Sequence, residues 1–286
     1  MYSVKTLADS INPHGYRLWT AEITYPRFIH DELMTHRMLS RNTSSSRAVP
    51  VAKVIQQVIH NPVIPLSFGQ NTRGMQSSED IADQAEARKL WLEGRDNAIY
   101  TAIHLEQLKV HKQFVNRLLM PYTWITTIVS ATEWENFFAL RTDSAAQPEM
   151  RKIAQMMVIE YYINSKPVER DWGQWHVPLM TVEELSTLDN VTARTVSVAR
   201  CAAVSYLRQH DERTIEEWSS VAKKLMDGGH WSPFEHVALA SENNILGNFI
   251  GWEQYRHQFI SDTREFNAED LDRVMIEVAD WELPNE

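Results

Sequence analysis

The alternation of apolar and polar positions divides this chain into short strands and amphipathic helices. Tyr16 to Tyr25 reads as a strand, and Pro26 is well placed as the first residue of a helix running to about Leu39. Val51, Val54, Ile55, Val58 and Ile59 recur with helical spacing, predicting a second helix that stops before Asn61-Pro62. Gly69 to Ser77 is the most loop-like stretch, and Ser77 with Asp80 marks the start of a long charged helix reaching about Leu108. Thr123 to Thr132, rich in β-branched residues, fits either a strand or a tightly packed helix. Helices are predicted over Glu149–Asn164, Thr192–Leu207 and Thr214–Met226, with Gly228-Gly229 stopping the last. Lys166 to Leu185, with Pro167, Pro178 and two Trp, reads as a join, and His236 to Ser241 as a short strand. The mixture predicts an α+β fold with helices packed on a mostly antiparallel sheet.

Composition narrows the class of protein. With 286 residues, 43% of them hydrophobic, and ten Trp, the chain can bury one large core or two linked ones. A formal charge of −10 argues against nucleic acid or an anionic membrane as the main partner, while leaving room for local basic sites. The single Cys201 excludes an internal disulfide and a cysteine metal cluster, as a reducing cytoplasm permits. No apolar run approaches the ~20 residues that span a bilayer, and the amino terminus lacks the apolar core of a signal peptide. The expectation is a cytoplasmic enzyme.

The run from His36-Arg37 to Ser45, Ser46 and Arg47 joins cations to hydroxyls and an amide, which suits an anionic ligand. The bland alternative is a polar helix exit capped by Ser and Asn. Two further blocks accompany it: Asn116-Arg117 to Pro121 with Asn136-Phe137 to Arg141-Thr142-Asp143-Ser144-Ala145-Ala146-Gln147, and Ala199-Arg200 to Ser205-Tyr206 with Gly229-His230-Trp231-Ser232-Pro233-Phe234-Glu235-His236. Together they resemble the flavin-dependent thymidylate synthases. The match covers that family's Arg-His-Arg, seven residues, Ser signature, with Thr35 in place of its first Arg; its Arg-x-x-x-Pro and Asn-Phe-x-x-Leu-Arg-x-Asp blocks; and its Gly-His-x-Ser/Thr-Pro-Phe-Glu-His block.

In that family the last block precedes the signature, so this chain resembles a circular permutant. An ungapped repeat points the same way: residues 27–40 align on 248–261, with Phe, Ile, Glu, His and Ser coinciding. Chance similarity of two amphipathic helices is the competing reading. The second copy keeps Arg256 and His257 but has Phe266 where the distal Ser would fall. The expectation is one catalytic domain over 1–286: a half at 1–165 with the signature helix and nucleotide site, a junction at 166–190, and a half at 191–286 with a second copy of the signature helix.

The resemblance implies transfer of a one-carbon unit from methylenetetrahydrofolate to C5 of a pyrimidine deoxynucleoside monophosphate, with FAD as carrier and NADPH as reductant. It makes Arg141 the residue that contacts the pyrimidine and stabilises charge on it, and gives nucleotide contacts to Glu32, Ser45, Ser46, Arg47 and Arg117. His36, Arg37, Asn136, Ser205, His230, Ser232, Glu235, Arg256 and His257 fall at flavin positions, and the implied assembly is a homotetramer with shared sites. Departures include Glu32 for Gln, Ala145 for a His of the one-carbon step, and Ser130 and Thr132 at flavin contacts. Deoxyuridylate is the leading substrate. Deoxycytidylate methylation, a hydroxymethylated product, and a non-catalytic nucleotide- or flavin-binding relative are the alternatives. A metal site is not expected, because His230 and His236 lack ligand spacing; Cys201 reads as a core residue and Ser45 as a ligand contact.

Overall fold

A computed structural model describes residues 1–73, 77, 79–242, 248–262 and 267–279. Phe266 and part of the predicted 69–77 loop lie outside the described residues. One five-stranded sheet runs in the order β3-β4-β2-β1-β5, formed by β1 (Ser3–Ile11), β2 (Arg17–Pro26), β3 (Ser40–Thr43), β4 (Trp124–Ala131) and β5 (Val168–Glu169). All its pairings are antiparallel except β1 with β5. A second antiparallel sheet joins β6 (Trp175–His176), β7 (Ala238–Ala240) and β8 (Trp252–Gln254).

The large sheet is buried on both faces. Alternate residues of β2, Trp19, Ala21, Ile23 and Tyr25, point to one side. There they meet Met150, Ile153, Ala154 and Met157 of α6 (Pro148–Ile159), whose spacing places them on one helix face. Phe137 and Phe138 of α5 (Glu135–Thr142) complete this core. On the opposite side, Ile128 of β4 packs on Cys201 of α8 (Asn190–Ala203), and α8 packs on Trp218 of α9 (Ile215–Asp227). A satellite cluster joins α2 (Val51–His60), α3 (Gln84–Gln107) and α4 (Lys112–Leu118) through Val58, Ala102 and Val115.

Several sequence expectations change. The helix predicted over Pro26–Leu39 is a 3-10 turn at Arg27–Ile29 followed by a short α1 (His30–Met34). The reason is tertiary: Ser40–Thr43 pairs with β4, and Arg41 Nη1 donates to the carbonyls of Leu33 (3.4 Å), Met34 (2.9 Å) and His36 (3.0 Å). Satisfying those carbonyls ends the helix. The long helix α3 starts at Gln84, not at Ser77, because Asp83 caps it by accepting from Glu86 N at 2.9 Å. Thr123–Thr132 resolves as a strand. β1 had no counterpart in the sequence reading.

The second copy of the signature helix is not a helix at its start. Trp252–Gln254 is β8, and a 3-10 segment begins only at Tyr255. Gly251, aligned on His30, has φ +69 and lies so close to Asn12 that a Cβ would stand 2.3 Å from its Nδ2. That left-handed residue turns the chain into the strand instead. The junction carries structure of its own: β5, β6 and α7 (Val182–Thr187).

Candidate functional site

The end of α1 and the last turn of α5 build a guanidinium cluster. Arg141 Nε donates to His36 Nε2 at 2.7 Å, Nη1 to Glu32 Oε2 at 3.1 Å, and Nη2 to Thr35 Oγ1 at 3.2 Å. The His36 ring rests edge-on against Phe137, centroids 4.8 Å apart. Because His36 accepts at Nε2, it is neutral with its proton on Nδ1. Burial, then Arg141 and Arg41, push its pKa down to about 4. Burial raises the Glu32 carboxyl, an effect opposed by Arg141. The result is a planar cation fixed on three of its nitrogens, the kind of preorganised charge that stabilises an anion forming beside it.

A separate cavity of about 830 Å³ opens between β3, the loop after it and the α8–α9 pair. Ser45, Arg47, Ser205, His230 and Ser232 all line it. Local bonds set the walls: Ser45 N donates to Ser205 O at 3.0 Å, and Asn116 Nδ2 clamps the loop through Ser46 O (2.7 Å) and Val49 O (2.9 Å). His230 leaves α9 past Gly228, where a Cβ would stand 2.9 Å from the imidazole Cδ2, so a larger residue would push the ring aside. Lys112, Arg208 and Arg213 add cations, with the Arg213 guanidinium 4.9 Å from the Trp218 ring centroid. Cations, hydroxyls and flat side chains in one hollow suit a large anionic ligand with aromatic parts.

The sequence profile of the thymidylate synthase complementing protein family matches residues 17–162, just over half of the 286. The chain belongs to this family. It is a methyltransferase-type enzyme. No curated protein sequence matches it. Among solved structures, the chain is similar to the UMP/dUMP methylase PolB of Streptomyces cacaoi bound with 5-Br UMP, at 16% identity and TM-score 0.44, over 56% of this chain and 88% of that one. The same protein bound with 5-Br dUMP matches at 18% identity and TM-score 0.40, over 51% and 66% of the two chains.

In this family member the predicted site residues divide into groups. Glu32, His36 and Arg141 converge in the cluster; Ser45, Arg47, Ser205, His230 and Ser232 converge on the cavity. Arg256 forms an ion pair with Glu235 and not with Glu32, whose partner is Arg141. Arg37, Arg117 and Asn136 are exposed, and neither they nor His257 line the cavity. Ser46 contributes a carbonyl to the Asn116 clamp. Cys201 is fully buried with its thiol pKa pushed up by desolvation, which removes it as a nucleophile. Lys112, Arg208 and Arg213 were missed, and Asn42 was read only as the amide of the signature run, with no role of its own. Asn42 sat inside the signature run, whereas the three cations reach the cavity from elements that no local spacing connects.

Proposed function

We propose that this enzyme transfers a one-carbon unit from methylenetetrahydrofolate to C5 of a pyrimidine deoxynucleoside monophosphate, deoxyuridylate giving thymidylate. The observation that carries the reading is the fixed Arg141 guanidinium beside neutral His36, a charge positioned for a pyrimidine that becomes electron-rich at C5. Glu32 does not confront the uracil oxygen as a lone carboxylate, because Arg141 neutralises it at 3.1 Å. That favours deoxyuridylate over deoxycytidylate. Beyond the end of α5 a hollow of about 1500 Å³, walled by Phe28, Phe68, Trp91 and the Ser144–Gln147 turn, gives room for the folate.

The cavity residues fit FAD: Arg47, Lys112, Arg208 and Arg213 would hold its phosphates, and Ser45, Ser205, His230 and Ser232 its polar edges. Bound there, FAD supplies hydride and one-carbon transfer, with NADPH as reductant. The protein's part is to bind the anion, exclude water and hold the proton of His36 on Nδ1.

We also infer circular permutation: the family profile ends at residue 162, yet the Gly229–His236 block shares a cavity with Ser45 and Arg47. Arg37, Arg117 and Asn136, open on a single chain, are the residues left for sites completed by other copies of a homotetramer. The test is flavin absorbance of the purified protein, followed by incubation of deoxyuridylate or deoxycytidylate with methylenetetrahydrofolate and NADPH. Thymidylate formation supports the proposal. A flavin-free protein that leaves both nucleotides unchanged refutes it.

A further inference from the structure

A line of polar side chains runs from the cavity through the fully buried side of the large sheet. Asn42 lines the cavity and contacts His236 Nε2 at 3.3 Å. His236 Nδ1 meets Ser130 Oγ at 2.8 Å, Ser130 Oγ meets Thr20 Oγ1 at 2.6 Å, and Thr20 Oγ1 meets His176 Nε2 at 2.8 Å. The line ends where His176 Nδ1 meets Ser10 Oγ at 2.9 Å. His176, His236, Thr20 and Ser130 are 0% exposed, so each must find its partners within this line or in the adjacent backbone.

The direction of the line follows from its cavity end. The Asn42 amide group nearest His236 also faces two backbone carbonyls, Arg41 O at 3.0 Å and Ser232 O at 3.2 Å. Carbonyl oxygens only accept, so that group is the NH₂. His236 Nε2 must then accept, and the neutral ring carries its proton on Nδ1 and donates to Ser130. Each hydroxyl passes its one proton a step onward: Ser130 to Thr20, Thr20 to His176 Nε2, and His176 Nδ1–H to Ser10. From His236 to His176 each donor meets one acceptor, and reversing any of these members would strand a hydroxyl hydrogen or set two donors face to face. Burial keeps both rings neutral, with pKa values pushed down to about 3.

The geometry points to Asn42 as an acceptor-only reader of the cavity's ligand, locked by His236 and the hydroxyls behind it. Both amide hydrogens are absorbed by the three acceptors at its back, so toward the cavity it offers only its carbonyl oxygen. That oxygen selects a ligand presenting an N–H or O–H donor at this wall, while the neighbouring cations select for negative charge elsewhere on the same molecule. This rests on the cavity being the flavin site, and Asn42 acts as a positioning and specificity residue there. Ser130 has no contact with the cavity and acts through His236.

The experiment uses the full chain with FAD as the probe. Histidine ¹⁵N spectra of the wild type, assigned with His236→Gln, are expected to show His236 protonated on Nδ1. Asn42→Ala and Ser130→Ala are each expected to weaken FAD binding about tenfold, with thermal midpoints recorded alongside. A wild-type His236 protonated on Nε2 overturns the inference, as does wild-type FAD affinity in both variants. If Ser130→Ala fails to fold, Asn42→Ala and the wild-type tautomer decide the matter. A wild type that takes up no FAD ends the flavin reading of the cavity, while the tautomer still decides which end of Asn42 faces it.

Discussion

The guanidinium cluster and the cavity solve opposite electrostatic problems. In the cluster a single cation is surrounded by its own acceptors: Arg141 faces Glu32, Thr35 and His36. In the cavity several cations have few partners, Arg208 and Arg213 sharing one carboxylate, Asp211, at 2.6 Å and 3.8 Å. A cation already bonded on most sides is a fixed field, suited to stabilising a fleeting charge. Cations left short of partners are suited to holding a ligand that brings its own permanent charge. On the proposed function, the cluster serves catalysis and the cavity retention.

Arg141→Ala tests that separation with the largest effect. Turnover should fall by about 10²- to 10³-fold, while FAD affinity stays within error of wild type in a flavin titration. Loss of flavin in that variant would merge the two regions into one. Next comes acid. His176 and His236 are held near a pKa of about 3 when folded, against about 6.5 when unfolded. Between those values the unfolded chain binds protons that the native chain refuses, so stability drops as pH falls from about 6.5 toward 3. The slope is at most about 1.4 kcal/mol per pH unit for each histidine. Urea unfolding at pH 7 and pH 5 measures it, and His236→Gln should flatten the slope.

A smaller effect is expected in the cavity itself. Arg213→Ala removes a cation stacked on Trp218 and should weaken FAD by about tenfold, with kcat at saturating FAD unchanged. A fall in kcat would give the cavity a share in the chemistry. Glu32→Gln is the mildest. The pair is partly exposed, so stability should change by less than about 1 kcal/mol, and the looser Arg141 should raise the KM for deoxyuridylate a few-fold. Paired binding of deoxyuridylate and deoxycytidylate shows whether Glu32 also reads the base; an unchanged ratio means that it does not.

The sequence carried the elements whose periodicity matches their burial. Val51, Val54, Ile55 and Val58 form one face of α2, and the spacing of Thr214–Met226 corresponds to α9 within a residue or two. β1 escaped notice because its register shifts between Thr6 and Ala8, which breaks the two-residue period. The first signature helix was over-extended because the groups that end it, Arg41 and β4, lie outside its own pattern. The repeat was visible as residues and absent as backbone, since one glycine at position 251 outweighs five coincidences. For the site, family motifs marked Ser45, Arg47, Ser205, His230 and Ser232, which do share a cavity. They did not mark Asn42, whose orientation depends on partners 190 residues or more away in sequence, His236 and Ser232.

The polar line through the sheet also bears on how the chain is made. Ser10, Thr20 and Ser130 leave the ribosome well before His176 and His236, the two rings that complete their bonding. A nascent chain ending near residue 165 can therefore pair β1, β2 and β4, but its Thr20 and Ser130 hydroxyls face an uncovered sheet. Closure waits for the later segments that carry His176 and His236. Such long-range contacts form slowly. Nascent chains arrested at increasing lengths should thus become protease-resistant on this face only once residue 236 has cleared the exit tunnel.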